Sequence, residues 1–386
     1  MAQGEPFMPD SKTSRPARWL ALAAAAAALC LALPAAGGPA PAPELPRGGR
    51  ELYSAACAAC HGPDGKGQPA ERLGFQPLPP DFTNCDFASR EANLDWVMVA
   101  NRGGPARAFD RMMPAFGDAL TEAQVVEILE HIRTFCTNKA WPRGELNLPR
   151  PLFTTKAFPE DEAVVQTTYD SSDPASWATR LYYEQRIGPR GQVELILPYE
   201  WVERAGGDEW ESGLGDVGLA YKHVVFASLE AGSIVSLAGE VFLPTGDDDK
   251  GLGAGTAVFE PYLAWGQILP ADFFLHFQAG GAIPQDGAKA QEELFGRLAA
   301  GRAFYTGRWG RRWAPMVELL ASRELVSGAD VLWDVAPQFQ VTLSDRQHLR
   351  LGLGARIPLN HTDARDARFS VYLLWDWFDG GLLEGW

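Results

Sequence analysis

The 386-residue chain reads as two folded units, a small all-α domain followed by an all-β antiparallel barrel of about twelve strands. Three observations point there. Apolar residues recur at helical spacing up to Phe135, then at spacing two from about Phe158 onward. The period-two segments are joined by short turns alternating strictly with longer polar loops. One apolar run of membrane-spanning length exists, at the N-terminus, which excludes a multi-span helical protein.

Composition narrows the function. The net charge is −15, from 34 Lys+Arg against 49 Asp+Glu, so a nucleic-acid partner is excluded by the sign of the surface. With 46% hydrophobic and 11% aromatic residues, the chain is not disordered. Lys12, Arg15 and Arg18 precede an apolar run from Trp19 to Leu33, and small residues follow from Pro34 to Gly38. Basic flank, apolar core and small-residue exit predict a secretory signal peptide over 1–37, removed after export, with a Pro/Ala-rich linker over 38–44. No Arg-Arg pair precedes the core, and bulky Leu29 argues against Cys30 as a lipid-anchored cysteine.

The next unit, residues 45–138, holds the strongest chemical pattern, Cys57-Ala58-Ala59-Cys60-His61. Two thiols three apart, with His directly after, have the spacing for covalent haem attachment. On one helical turn both thiols reach the two vinyl groups, while the adjacent imidazole points at the iron. A zinc site would need a second ligand pair at similar spacing, and a thioredoxin-like motif would need a βαβ context; neither surrounds these residues.

The run Gly49-Arg50-Glu51-Leu52-Tyr53-Ser54-Ala55-Ala56-Cys57 and the loop His61-Gly62-Pro63-Asp64-Gly65-Lys66-Gly67 resemble the class I, single-haem cytochrome c family over about residues 45–138. The resemblance implies one haem c, attached through Cys57 and Cys60, with His61 as one axial ligand and a Met as the other. Met98, Met112 and Met113 are the candidates. Met113 alone is followed by Pro, and Met113-Pro114-Ala115-Phe116-Gly117 resembles the family's axial-Met loop, so Met113 is the expected ligand. His131 is the bis-histidine alternative, on a helix where polar exposure also explains it.

Thr121 and Gln124 have capping-box spacing, and Val125, Ile128, Leu129, Ile132 and Phe135 continue from them at helical spacing. This closing helix is expected to cross the first. Cys85 and Cys136 remain; in an oxidising compartment two such thiols in one small domain are expected to pair, the alternative being two separate buried thiols.

Residues 139–160 are expected to be a linker and 161–386 the barrel. Phe273, Leu275, Phe277 and Ala279 alternate with Asp272, Phe274, His276 and Gln278; Val335, Pro337, Phe339 and Val341 alternate with Ala336, Gln338, Gln340 and Thr342. Such segments belong to a sheet with one apolar face. An even strand number returns both ends to one side, and the short-turn side of an outer-membrane barrel is the periplasm. Tyr182, Tyr183, Tyr199, Trp201, Trp265, Trp309, Trp313, Trp375 and Trp377 are expected in aromatic girdles. Lumen-facing Glu194, Glu200, Glu240, Glu260, Glu318, Arg350 and Arg356 carry both signs and are expected to pair with one another in a filled barrel. The stretches Leu214-Gly215-Asp216-Val217-Gly218-Leu219 and Phe242-Leu243-Pro244-Thr245-Gly246-Asp247 resemble outer-membrane barrels of the phenol meta-degradation type. That resemblance implies a small barrel linked to apolar-solute traffic.

The expected function is electron transfer without bond chemistry. A periplasmic haem domain would be anchored by a barrel seated in outer-membrane lipid, and its partner would be a periplasmic or membrane redox protein. The alternatives are a transporter of small apolar solutes with an accessory cytochrome domain, or a haem subunit of a larger oxidoreductase complex.

Overall fold

A computed structural model describes residues 48–74, 78–204, 209–306 and 311–377. The expected leader over 1–37, Cys30, the linker over 38–44 and Trp309 lie outside the described residues. No helix among the described residues is long and apolar enough to cross a membrane.

The helical region comprises α1 (Gly49–Ala56), α2 (Ala58–His61), α3 (Ala70–Leu73), α4 (Cys85–Arg90), α5 (Asn93–Arg102) and α6 (Glu122–Arg133). Leu52 and Tyr53 of α1 bury against Val125, Ile128, Leu129 and Ile132 of α6, with Phe82, Trp96 and Val97 completing the core. The α1/α6 crossing is close because Gly49 has no side chain: a Cβ there would fall 1.9 Å from the Glu127 carbonyl oxygen. The capping box opens α6, the Thr121 amide donating to Gln124 Oε1 at 2.9 Å and the Gln124 amide to Thr121 Oγ1 at 3.3 Å. From the far end of α6, Arg133 stacks 4.0 Å over Trp96 and donates to Asn93 Oδ1 at 3.0 Å, which clamps α6 to α5.

The remainder is one antiparallel sheet built from β1 (Glu162–Asp170), β2 (Ser176–Ile187), β3 (Gly191–Glu203), β4 (Trp210–Leu214), β5 (Val217–Ser228), β6 (Ser233–Leu243), β7 (Val258–Ile268), β8 (Phe273–Pro284), β9 (Glu293–Arg302), β10 (Phe304–Thr306), β11 (Arg311–Glu324), β12 (Leu332–Thr342), β13 (Leu349–Pro358) and β14 (Arg368–Asp376). β4 and β5 are two parts of one interrupted strand, both pairing with β3; β9 and β10 are likewise two parts, both pairing with β11. That leaves twelve strands. β1 pairs with β14 from Glu162↔Asp376 to Asp170↔Arg368, so the sheet closes on itself. The short turns and longer loops fall at opposite ends, as the alternation requires.

The alternation of faces follows the sequence pattern. On β8, Phe274, His276 and Gln278 are buried and inward, while Phe273 is exposed on the outside. On β12, Asp334, Ala336, Gln338 and Gln340 are buried and inward. The outer surface is apolar over every side of the barrel; Leu219, Leu237, Leu294 and Phe369 are each half or more exposed. Tyr182 departs from the girdle expectation. It stands one residue out of phase with outward Leu181 and Tyr183, and so faces the lumen, where the Arg150 guanidinium lies 5.5 Å from its ring.

The lumen is filled, but not by wall charges pairing across it. Residues 146–160 fold into the barrel and return to Asp161 at the head of β1. Leu146 packs near Val224 and Ile234 at the short-turn end. Arg150 pairs with Glu162 and Glu184, each at 2.6 Å, and the Tyr372 hydroxyl donates to the Arg150 carbonyl at 2.8 Å. The Leu152 amide donates to Gln338 Oε1 at 2.8 Å, the Phe153 amide to Glu318 Oε1 at 3.0 Å and the Thr155 amide to Gln278 Oε1 at 3.0 Å. On the return, the Lys222 ammonium donates to the Lys156 carbonyl at 3.0 Å and the Ser236 hydroxyl to the Ala157 carbonyl at 2.5 Å. Of the wall charges expected to pair among themselves, Glu318 serves the plug, through Thr154 and the Phe153 amide. Arg350 finds Asp376 at 2.7 Å and Arg356 finds Asp334 at 2.5 Å. Backbone amides and carbonyls of an extended segment satisfy a polar wall better than long charged side chains, which must lose more rotamer freedom. A cavity of about 140 Å³ remains beside Arg150–Thr155, bordered by Arg180, Glu194, Glu240 and Glu260.

A sheet without an edge resists detergent unfolding, so the unheated protein should run at a different position from the boiled protein on an SDS gel. Glu318→Ala leaves the Phe153 amide, Thr154 and Gln338 without their acceptor and should cost about 1–3 kcal/mol. Its gel conversion temperature should fall below that of the parent. A conversion temperature equal to the parent's would remove the plug from the stability of the barrel.

Candidate functional site

Residues 57–61 form one turn. Cys57 ends α1 and precedes α2, with its carbonyl accepting from the His61 amide at 2.9 Å. The chain then leaves through Gly62, Gly65 and Gly67, all with φ between 76° and 80°, a left-handed run that glycine adopts without strain. Tyr53, buried on the inner face of α1, donates its hydroxyl to the Gly62 carbonyl at 2.6 Å and fixes where the turn ends. The His61 ring stacks on Phe82 with centroids 4.9 Å apart. Burial lowers its pKa to about 4, so the imidazole is neutral and has a lone pair to offer. Its Nδ1 is buried without a hydrogen-bond partner. Cys57 and Cys60 are free, half-buried thiols, and burial pushes the Cys57 thiol up to about 11.

Met113 lies in a loop closed on itself. The Gly104 amide donates to the Met113 carbonyl at 2.9 Å, the Met113 amide to the Asp110 carbonyl at 3.3 Å, and the Phe109 amide to the Gly104 carbonyl at 3.0 Å. Gly104 is required for this closure, because a Cβ there would fall 2.1 Å from the Asp110 carbonyl oxygen. Buried Arg107 ties the loop to α5 through Asp95 at 3.2 Å. Met113 is half-buried, whereas Met112 is 45% exposed. His131, the other ligand candidate, packs edge-on to Tyr53 and Phe135 at 5.3 Å and 5.1 Å. The residues fit a haem: two thiols and a neutral, half-buried imidazole with an unpartnered buried nitrogen on one turn, and a half-buried thioether on a loop closed by its own hydrogen bonds.

Cys85 and Cys136 are bonded in the structure, with Cα atoms 5.0 Å apart. The bond joins the head of α4 to the chain just past α6.

The helical region rests on the short-turn mouth of the barrel. Arg90 pairs with Asp161, and Arg190 Nε donates to the Ala140 carbonyl at 3.2 Å. The Arg186 guanidinium lies 4.6 Å over the Trp141 ring. The sequence marks none of these contacts, and within the expected linker over 139–160 residues 146–160 are instead packed inside the barrel. The available signal was the set of inward Gln residues at 166, 192, 278, 338 and 340, polar groups in a wall with no evident partners in the sequence.

Residues 44–132 match the model of the family described as cytochrome C oxidase, cbb3-type, subunit III. The chain is a cytochrome c region joined to a twelve-strand barrel. An outer membrane channel from Pseudomonas putida F1 is 14% identical, with 60% of this chain and 100% of that one covered, at a TM-score of 0.44. The NanC porin is 10% identical, with 56% and 98% covered, at 0.37. The KdgM porin is 8% identical, with 55% and 99% covered, at 0.35. No curated protein matches the chain significantly.

Removing the Cys85–Cys136 link, which closes a loop with a sequence separation of 51, should destabilise the cytochrome c region by about 4 kcal/mol. Denaturant unfolding of Cys85→Ala/Cys136→Ala measures the loss, and non-reducing peptide mapping should recover the linked pair. Two free thiols in the mature protein would refute the pairing.

Proposed function

We propose that this protein carries single electrons on one haem c held covalently by Cys57 and Cys60, at the periplasmic side of an outer membrane in which the barrel is the anchor. The observation that carries the proposal is the turn Cys57–His61, with two free thiols and a neutral, half-buried imidazole, inside a cytochrome c region. When bound, the haem supplies one-electron cycling between ferrous and ferric iron. His61 and Met113 would be its axial ligands. Tyr53 and the left-handed glycines hold the His61 turn, while Gly104 and Arg107 hold the Met113 loop. Phe82 and Trp96 keep water from the crevice.

The membrane part follows from physics. A closed sheet satisfies every backbone donor and acceptor internally, and its apolar exterior on all sides is stable in lipid and not in water. Short turns lie on the periplasmic side of outer-membrane barrels, and that is the mouth against which the helical region rests. The plug at 146–160 favours an anchor over a solute conduit. A second reading, that of a haem subunit docked in a larger oxidoreductase, is favoured by the oxidase-subunit family matched at residues 44–132. Co-purification of a catalytic subunit decides for it.

Acid-acetone extraction should leave the colour on the protein, and Cys57→Ala/Cys60→Ala should lose it. Met113→Ala should abolish the thioether-to-iron absorption of the oxidised form and lower the potential, while Met112→Ala should do neither. The reverse pattern moves the ligand by one residue. Arg at Phe339, on the outer face of β12, should cost about 2–4 kcal/mol near the membrane midplane and impair assembly. A protein soluble without detergent would overturn the membrane assignment.

A further inference from the structure

We infer that Arg346, a residue of the barrel, is a positioning residue for the Met113 thioether; the inference rests on Met113 being the second axial ligand. Arg346 lies in the turn between β12 and β13 at the short-turn mouth. Its guanidinium sits 4.7 Å over the Phe109 ring, and its Nη2 donates to the Ala108 carbonyl at 3.4 Å. Ala108 and Phe109 are the outer tip of the loop that closes on Met113.

Both sides of this contact are held from behind. In the barrel, the Gln347 amide donates to the Ser344 carbonyl at 3.2 Å. Fully buried His348 meets Asp376 at 2.5 Å, and Asp376 also pairs with Arg350 at 2.7 Å. In the loop, Phe109 reaches Met113 through two hydrogen bonds, Phe109 to Gly104 and Gly104 to Met113. Arg107 restrains the inner edge of the loop through Asp95, and Arg346 restrains the outer edge from a different domain. Ala108 and Gln347, one on each side, carry φ values of 54° and 70°. Non-glycine residues persist in that region only where their surroundings over-determine them.

The chemistry gives this restraint a consequence. A thioether is a neutral and weak ligand, and a loop free to swing surrenders it to a stronger nitrogen base. Groups that orient a metal ligand change the metal's affinity for it. The contact therefore makes the redox site of one domain dependent on the folded state of the other.

The test is imidazole titration of the detergent-solubilised, full-length ferric protein, following the thioether-to-iron absorption. Losing the cation over Phe109 should raise the apparent imidazole affinity of Arg346→Ala about fivefold. Phe109→Leu should do the same, and the double variant should add nothing to either single one. Arg346→Lys, which keeps the charge without the planar fork, should fall between parent and Arg346→Ala. An unchanged gel shift on heating shows that the barrel of each variant is folded; if Arg346→Ala does not assemble, Phe109→Leu carries the test from the loop side. Parental imidazole affinity in the assembled single variants, or simple additivity in the double variant, would overturn the inference. Retention of the absorption in Met113→Ala would instead overturn the ligand assignment, and this inference with it.

Discussion

A closed barrel of twelve strands turns half of its side chains inward, and every polar group on that inner wall needs a partner. The chain provides the partners from its own residues 146–160. Gln338, Glu318 and Gln278 accept from the plug amides of Leu152, Phe153 and Thr155, while Lys222, Ser236 and Tyr372 donate to plug carbonyls. An unsatisfied buried polar group costs about 1–3 kcal/mol, so a wall with this many positions could not be left empty of partners without a large penalty. The plug is therefore as much a part of the barrel as the strands are.

The position of the cytochrome c region follows from that constraint. The plug enters and leaves by one mouth, so the helices that precede it are held at that mouth by covalent continuity before any surface contact is made. Arg90, Arg186, Arg190 and Arg346 then fix the orientation. Four arginines at one junction suit the task, because a planar guanidinium stacks on rings and donates to carbonyls in the same geometry. The Met113 loop thereby meets the turn between β12 and β13, and the Cys57–His61 turn packs on the α1/α6 core.

Much of the candidate site was legible from residue types and spacing. The Cys57–His61 turn, the left-handed glycines after it and the Met113-Pro114 step are local, and local backbone chemistry does not depend on distant partners. Phe82 under His61, Arg107 on Asp95 and Arg346 on Phe109 were not legible, because each joins residues through tertiary placement. The misassigned Tyr182 shows how narrow the margin is in a strand: one residue of phase moves a side chain from the outer surface to the lumen.

The sequence by itself determined the two-part architecture, the approximate strand number and the apolar face of strands such as β8 and β12, since period and turn length are properties of the chain alone. It determined the residue set of the Cys57–His61 turn for the same reason. Only the tertiary structure decided what fills the barrel. Residues 146–160 carry neither helical nor strand periodicity, and their fold is imposed by hydrogen-bond partners on ten different strands, which come together only when the sheet closes.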